Sequence, residues 1–159
     1  MTNRKKNFLS LYVHWPYCES KCPYCDFNSH EGVIQSDYIS ALIKDLDGDL
    51  QYVQNRAIES IFIGGGTPSL MSTEDVSYLL NGLKERLNFS DNVEITMEVN
   101  PGTFEAEKFT EFRSIGINRL SVGVQSFEDS QLKFLGRVHS SNEAVNAIIE
   151  AQRAGFTNI

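Results

Sequence analysis

Segments with an apolar period of two alternate four times with segments of helical period along this 159-residue chain, and that alternation leaves few folds open. Phe8 to His14 sets Leu9, Leu11 and Val13 on one face and Ser10, Tyr12 and His14 on the other. The spacing then predicts an amphipathic helix over Ile34, Tyr38, Leu42, Leu46 and Leu50, flanked by Ile39, Ile43 and Val53. Gly48 inside it costs ~1 kcal/mol relative to alanine. Ile58 to Ile63 reads as a second strand that runs into Gly64-Gly65-Gly66-Thr67-Pro68, and a helix starts near Ser72-Thr73 with Val76, Leu79, Leu80, Leu83 and Leu87 as its buried stripe. Val93 to Glu98 alternates again, followed by Asn100-Pro101-Gly102 and a helix carrying Phe109, Phe112 and Ile115 that stops at Gly116. Arg119 to Gln125 is the fourth predicted strand. Ser140 and Glu143 have the spacing of a capping box before a helix with Ala144, Val145, Ile148 and Ala151, and Gly155 ends it.

The order βαβαβαβα predicts an α/β fold whose parallel strands are joined by right-handed crossovers, a partial TIM-like barrel of about four βα units. Phe156 to Ile159 follow a helix-ending glycine as Ile117 to Leu120 do, so a fifth strand is expected to begin there. Four units do not close such a barrel. Residues 1–7 are read as a tail and 8–159 as the N-terminal part of a longer core domain. Strand alternation places Tyr12, His14, Thr96, Glu98, Ser121 and Gln125 opposite the faces that bury Leu11, Ile95 and Val122. In parallel βα barrels the strand C-termini form the active face. Phe109, Phe112, Phe127 and Phe134 are read as core, His14 as a packed or hydrogen-bonded strand residue, and His139 as a loop residue.

All three cysteines, Cys18, Cys22 and Cys25, fall in one eight-residue loop with C-x3-C-x2-C spacing, directly after the first strand. Three thiolates hold three corners of a [4Fe-4S] cluster and leave one iron open to a further ligand, whereas closed structural sites take four protein ligands. Two other readings of the same residues stay open: a zinc site completed by His14 or His30, and a thiol redox pair of Cys22 and Cys25. The triple glycine after a strand lets backbone N–H groups approach a ligand, or simply makes a tight turn. It matches neither a P-loop nor a dinucleotide fingerprint. Glu98 at a strand end, and Gln125 and Arg137 after the fourth strand, are ligand-facing candidates or plain surface residues; Arg137 could equally cap a helix end.

A net charge of -7 and a pI near 4.9 argue against nucleic acid and anionic membrane surfaces as partners. The basic Arg4-Lys5-Lys6 lacks the apolar stretch of a signal peptide, and no segment reaches the ~20 apolar residues of a membrane span. A cytoplasmic protein is expected, in a reducing compartment that suits an odd number of clustered thiols.

Several motifs in the same order carry a resemblance to a known family. They are Leu11-Tyr12-Val13-His14-Trp15-Pro16-Tyr17-Cys18, Cys22-Pro23-Tyr24-Cys25-Asp26-Phe27-Asn28-Ser29-His30, Phe62 to Pro68, Glu98 to Gly102 and Gly123 to Phe127. From about residue 8 onward the chain resembles the radical S-adenosylmethionine (SAM) proteins of the oxygen-independent coproporphyrinogen III oxidase group, most closely the haem-chaperone (HemW) branch. The resemblance implies a cluster on Cys18, Cys22 and Cys25 whose open iron is chelated by SAM, and reductive cleavage of SAM to a 5'-deoxyadenosyl radical. By the same carry-over, Tyr12 and Tyr24 lie beside the cofactor and Gly65, Gly66 and Thr67 hold its methionine end. Glu98 and Gln125 hydrogen-bond it, and Arg137 pairs with its carboxylate. The oxidases continue the motif to a fourth cysteine where this chain has Phe27. That departure favours the chaperone branch, which the resemblance describes as binding haem and passing it to respiratory proteins through segments beyond residue 159. The alternatives are an oxidative decarboxylase of coproporphyrinogen III, with an unidentified electron donor, and a zinc-stabilised βα binding module.

Overall fold

A computed structural model describes residues 8–101 and 106–159, so the expected tail 1–7 with Arg4-Lys5-Lys6, and Gly102, lie outside the described residues. Four parallel strands, β1 (Phe8–Trp15), β4 (Ala57–Gly65), β5 (Phe89–Val99) and β6 (Arg119–Val122), form one sheet in that spatial order. A second sheet of two short parallel strands, β2 (Tyr17–Cys18) and β3 (His30–Glu31), brackets the cysteine loop. Sequential neighbours that are spatial neighbours, each joined through a helix, give the partial barrel that the βα alternation implies.

The helices α1 (Tyr38–Val53), α2 (Thr73–Arg86), α3 (Ala106–Ile115) and α5 (Ser141–Arg153) lie side by side in chain order. The core lies between them and the sheet: Val13, Ile61, Ile63, Ile95, Met97 and Leu120 meet Ile39, Ile43, Leu79, Leu80, Leu83, Phe109, Phe112 and Ala151. The other sheet face carries Ser10, Tyr12 and His14, then Ser60 and Phe62, then Glu94, Thr96 and Glu98, then Arg119 and Ser121. The register aligns Tyr12, Phe62, Thr96 and Arg119 in one row across it. A four-stranded sheet with helices on one side leaves that polar side as the concave face of a half-barrel.

Helix ends follow local chemistry. Ser72 caps α2 by accepting from the Asp75 N–H, and Ser140 and Glu143 make the reciprocal capping box at α5. Gly116 and Gly155 follow α3 and α5 with positive φ. The chain end runs beside β6: the Leu120 N–H donates to the Asn158 carbonyl at 3.1 Å, the placement expected of a fifth strand.

Several expectations are corrected. Ile34 lies outside α1, which begins at Tyr38, and stays 39% exposed. On α5 the buried stripe is Ala144, Ala147 and Ala151, while Val145 faces solvent. A longer β5 starts at Phe89. Gln125 is not in a strand: β6 ends at Val122, and the chain then makes two tight turns, with Val124 N–H to the Val122 carbonyl and Ser126 N–H to the Val124 carbonyl, both 2.9 Å. Phe127 and Phe134 are 60% and 90% exposed rather than core. Phe134 ends a short helix, α4 (Asp129–Phe134), that buries only Leu132 and carries no long periodic signal.

Candidate functional site

At the C-terminal ends of β1, β4, β5 and β6 a cleft of about 270 Å³ opens. Its walls are the cysteine loop, the glycine loop after β4, the end of β5 and the turn after β6. Ten of the eleven sequence-predicted site residues line it: Cys18, Cys22, Cys25, Tyr24, Gly65, Gly66, Thr67, Glu98, Gln125 and Arg137. Tyr12 does not. It stands lower on the concave face, stacked on Phe62 with ring centroids 6.2 Å apart, and its hydroxyl pKa is raised by partial burial and then by the Glu98 charge.

The cysteine loop is held from both ends. The His30 N–H donates to the Pro16 carbonyl at 2.9 Å, Tyr17 and Cys18 pair with His30 and Glu31, and the Cys25 N–H closes a turn on the Cys22 carbonyl. Lys21 braces the middle. Its ammonium donates to the carbonyls of Phe27 and Ser29, and its N–H to the Glu31 carboxylate at 2.6 Å. Beneath the loop, Trp15, Tyr17 and Tyr38 pack edge to face. All three cysteines are free thiols and partly exposed.

His14 is a strut, as its strand position suggested. Its Nε2 lies 2.8 Å from the Asn28 carbonyl and must carry the proton, leaving Nδ1 to accept from the Tyr12 hydroxyl at 3.3 Å. Neither histidine lines the cleft with the three cysteines: the lone pair of His14 Nδ1 is turned to the Tyr12 hydroxyl, and His30 packs its ring on Tyr17. Among the described residues no three His, Cys, Asp or Glu side chains converge on a single ion.

The glycine loop works differently from the N–H cradle its sequence suggested. The Gly65 N–H donates to Glu98 Oε2 at 3.0 Å, Gly66 N–H to the Trp15 carbonyl at 2.6 Å and Thr67 N–H to the Tyr17 carbonyl at 2.8 Å. With those donors spent, the loop offers a ligand no cradle of backbone N–H groups at Gly65, Gly66 and Thr67. Gly65 has φ +113, and a Cβ there would lie 2.7 Å from the His14 ring; a Cβ at Gly66 would strike the Tyr17 backbone. The absence of side chains thus seats the glycine loop directly on the strand that launches the cysteine loop.

Opposite stands Arg137. Gly136, φ +69, lets the α4–α5 linker pass against Pro23 and delivers the guanidinium to the cysteine loop. Nη1 lies 3.3 Å from Cys22 Sγ and 3.5 Å from the Tyr24 hydroxyl; Nη2 donates to Asn100 Oδ1 at 2.6 Å and to the Gly123 carbonyl at 2.8 Å. Burial, more than Arg137 opposes it, raises the Tyr24 pKa. His139, expected as a plain loop residue, is buried and donates from Nε2 to the Val124 carbonyl, which pins the turn holding Gln125. Gln125 adopts φ +67, a conformation costly for a side-chain-bearing residue and common where geometry serves a ligand.

Eight further residues line the cleft, of which Asn100, Ser121 and Lys21 are instructive. Asn100 shares the parity of Glu98 and was legible from alternation, while Ser121 was seen on the concave face but given no role. Lys21 is visible only in three dimensions, because its partners are backbone carbonyls of a folded loop.

Residues 12–159 match the model of the radical SAM superfamily. Two curated relatives called heme chaperone HemW, from Haemophilus influenzae and Escherichia coli, are each 52% identical across 93% of this chain. The chain spans about 40% of their length. The solved structure of coproporphyrinogen III oxidase (HemN) from Escherichia coli, described as a radical SAM enzyme, superposes with a TM-score of 0.82 at 30% identity, covering 93% of this chain and 35% of that one.

Proposed function

Since the chain belongs to the radical SAM superfamily, we propose that its cleft carries a [4Fe-4S] cluster on Cys18, Cys22 and Cys25 with SAM beside it, and that the whole protein is a haem chaperone of the HemW kind. The observation that carries the reading is the donor set. Three free, partly exposed thiols of one braced loop line a cleft with no fourth cysteine, so the residues present fit a cluster with one open iron. When bound, such a cluster supplies a single electron to the SAM sulfonium.

The protein's own part is to hold and orient. Gly65 and Gly66 line the cleft with their N–H groups spent, so they would meet the methionine end of SAM through backbone carbonyls. Glu98, fixed by the Gly65 N–H, adds negative charge on the same side, and Arg137 brings the one guanidinium among the lining residues toward a carboxylate. Gln125 and Thr67 complete the polar wall, Tyr24 lines the cleft from within the cysteine loop, and Tyr12 sits lower on β1, outside the cleft. No helix among the described residues is long and apolar enough to cross a membrane.

Haem binding and transfer to acceptor proteins are supported by the 52% identity to proteins called heme chaperones and by Phe27 at the position where the oxidases have a fourth cysteine. The structural likeness to coproporphyrinogen III oxidase supports a second reading, oxidative decarboxylation of the porphyrinogen. Both are tested on the full-length protein prepared without oxygen. The chaperone reading expects stoichiometric haem uptake, haem delivery to an apo-acceptor and no CO2 from coproporphyrinogen III. Absence of haem binding together with SAM-dependent CO2 release reverses the assignment, and an iron–sulfur spectrum unmoved by SAM removes the shared premise.

A further inference from the structure

We propose that Arg137 is a positioning residue with two alternative partners, the Cys22 thiolate and the carboxylate of SAM, so that cofactor binding shifts the cluster's reduction potential through this one side chain. The inference rests on the reading above. Its basis is a count of hydrogens. A guanidinium has five N–H donors. The two on Nη2 meet Asn100 Oδ1 and the Gly123 carbonyl, and the two on Nη1 face Cys22 Sγ and the Tyr24 hydroxyl. Only Nε lacks a partner, and it is buried, where a carboxylate has no access.

With its four Nη hydrogens engaged and Nε buried, Arg137 cannot take a carboxylate without releasing a contact it holds here. The contacts at 2.6 and 2.8 Å on Nη2 are short and tie the arginine to the ends of β5 and β6. On Nη1, the 3.5 Å contact to the Tyr24 hydroxyl is long for an N–H···O bond, and the 3.3 Å contact to Cys22 is ordinary for the larger sulfur atom but reaches a thiol, a weak acceptor. Nη1 is therefore the donor that changes hands, turning a single N–H to the carboxylate, because its two hydrogens diverge and make no parallel pair while Nη2 stays bound.

Hydrogen bonds to cluster sulfurs stabilise the more negative, reduced state and raise the potential. Arg137 on Cys22 accordingly holds the SAM-free cluster at a higher potential, and withdrawal of Nη1 lowers it. By reciprocity the oxidised cluster, which grips Nη1 less, leaves Arg137 freer for the carboxylate than the reduced one does.

The test is a potentiometric titration, followed by EPR, of full-length protein with four irons and four sulfides per chain. Arg137→Met removes every donor; Arg137→Lys keeps the charge without the fork. In the absence of SAM, Arg137→Met is expected to shift the oxidised-to-reduced ratio at fixed potential about tenfold toward oxidised, 59 mV for one electron. SAM should then move the midpoint less in this variant than in the parent. If Arg137→Met fails to load iron, Arg137→Lys carries the same comparison, with a smaller shift of the same sign. Equal SAM-free midpoints in a loaded variant and the parent overturn the inference and leave the functional reading standing. A parent protein that binds no four-iron cluster overturns the functional reading itself.

Discussion

Replacing Gly65 by alanine is the sharpest probe of how the site is built. Two costs follow from its geometry. At φ +113 a residue with a Cβ sits in a strained backbone region, about 1–3 kcal/mol. The new methyl would lie 2.7 Å from His14 Nδ1 and Cε1 and 2.9 Å from the Trp15 carbonyl, and overpacking of that kind costs a further 1–3 kcal/mol or so. Together they amount to roughly 4 kcal/mol, a large share of the about 5–15 kcal/mol that holds a domain folded. Gly48 provides the opposite control. It lies on the exposed side of α1 with nothing within 4 Å, so Gly48→Ala should stabilise by about 0.5–1 kcal/mol. Urea unfolding of the full-length apo-protein reads both. With a slope near 2 kcal/mol/M, Gly65→Ala drops the midpoint by about 2 M and Gly48→Ala raises it slightly. Because the His14 ring also holds the Asn28 carbonyl at 2.8 Å, displacing it loosens the cysteine loop, and iron loading should fall together with SAM affinity. A Gly65→Ala protein within 1 kcal/mol of the parent, with iron intact, would refute the steric argument.

Cys22→Ala should abolish cluster binding, since two thiolates hold a cubane poorly; iron and acid-labile sulfide analysis checks it, and near-parental iron content would count against the ligand set. Glu98→Gln keeps a group able to accept from the Gly65 N–H but removes its charge, so equilibrium dialysis should find SAM affinity weakened about tenfold with iron content preserved, a loss of roughly 1.4 kcal/mol. His139 has its pKa lowered, first by burial and also by Arg137, so the unfolded chain binds more protons than the folded one as pH falls through and below about 6.5. Its contribution to stability is complete above that value and drains away in acid; a steeper acid loss in the parent than in His139→Gln, measured by denaturation at pH 7.5 and 5.5, is expected, and equal slopes would sink it. Phe134→Ser should change stability by no more than about 0.5 kcal/mol, whereas Phe112→Ala, fully buried, should cost about 3–5 kcal/mol in the same assay.

The order of elements was legible because each main strand and helix writes its own period into the chain: Leu9, Leu11 and Val13 alternate, Leu79, Leu80 and Leu83 recur on one helical face, and the capping residues at Ser72 and Ser140 mark their starts. Local chemistry alone specifies such features. The candidate site was readable for a related reason. Residues at the C-terminal ends of parallel strands are brought together by topology, so Cys18, Gly65 and Glu98 had to meet once the sheet was inferred.

What no local pattern carries is the choice among competing contacts. Whether the glycine N–H groups faced a ligand or a neighbouring strand depended on Trp15 and Tyr17 lying alongside them, and whether Phe134 was core depended on which side of a six-residue helix met the protein. The same holds for Arg137, more than a hundred residues from Cys22, with a linker turn at Gly136 deciding their meeting. Sequence by itself determined the alternation, the polar concave face and the three thiols on one loop, because period and spacing are properties of neighbours in the chain. Tertiary structure alone decided which donors are already satisfied and which remain for a ligand, because a hydrogen bond across the fold is a property of neighbours in space.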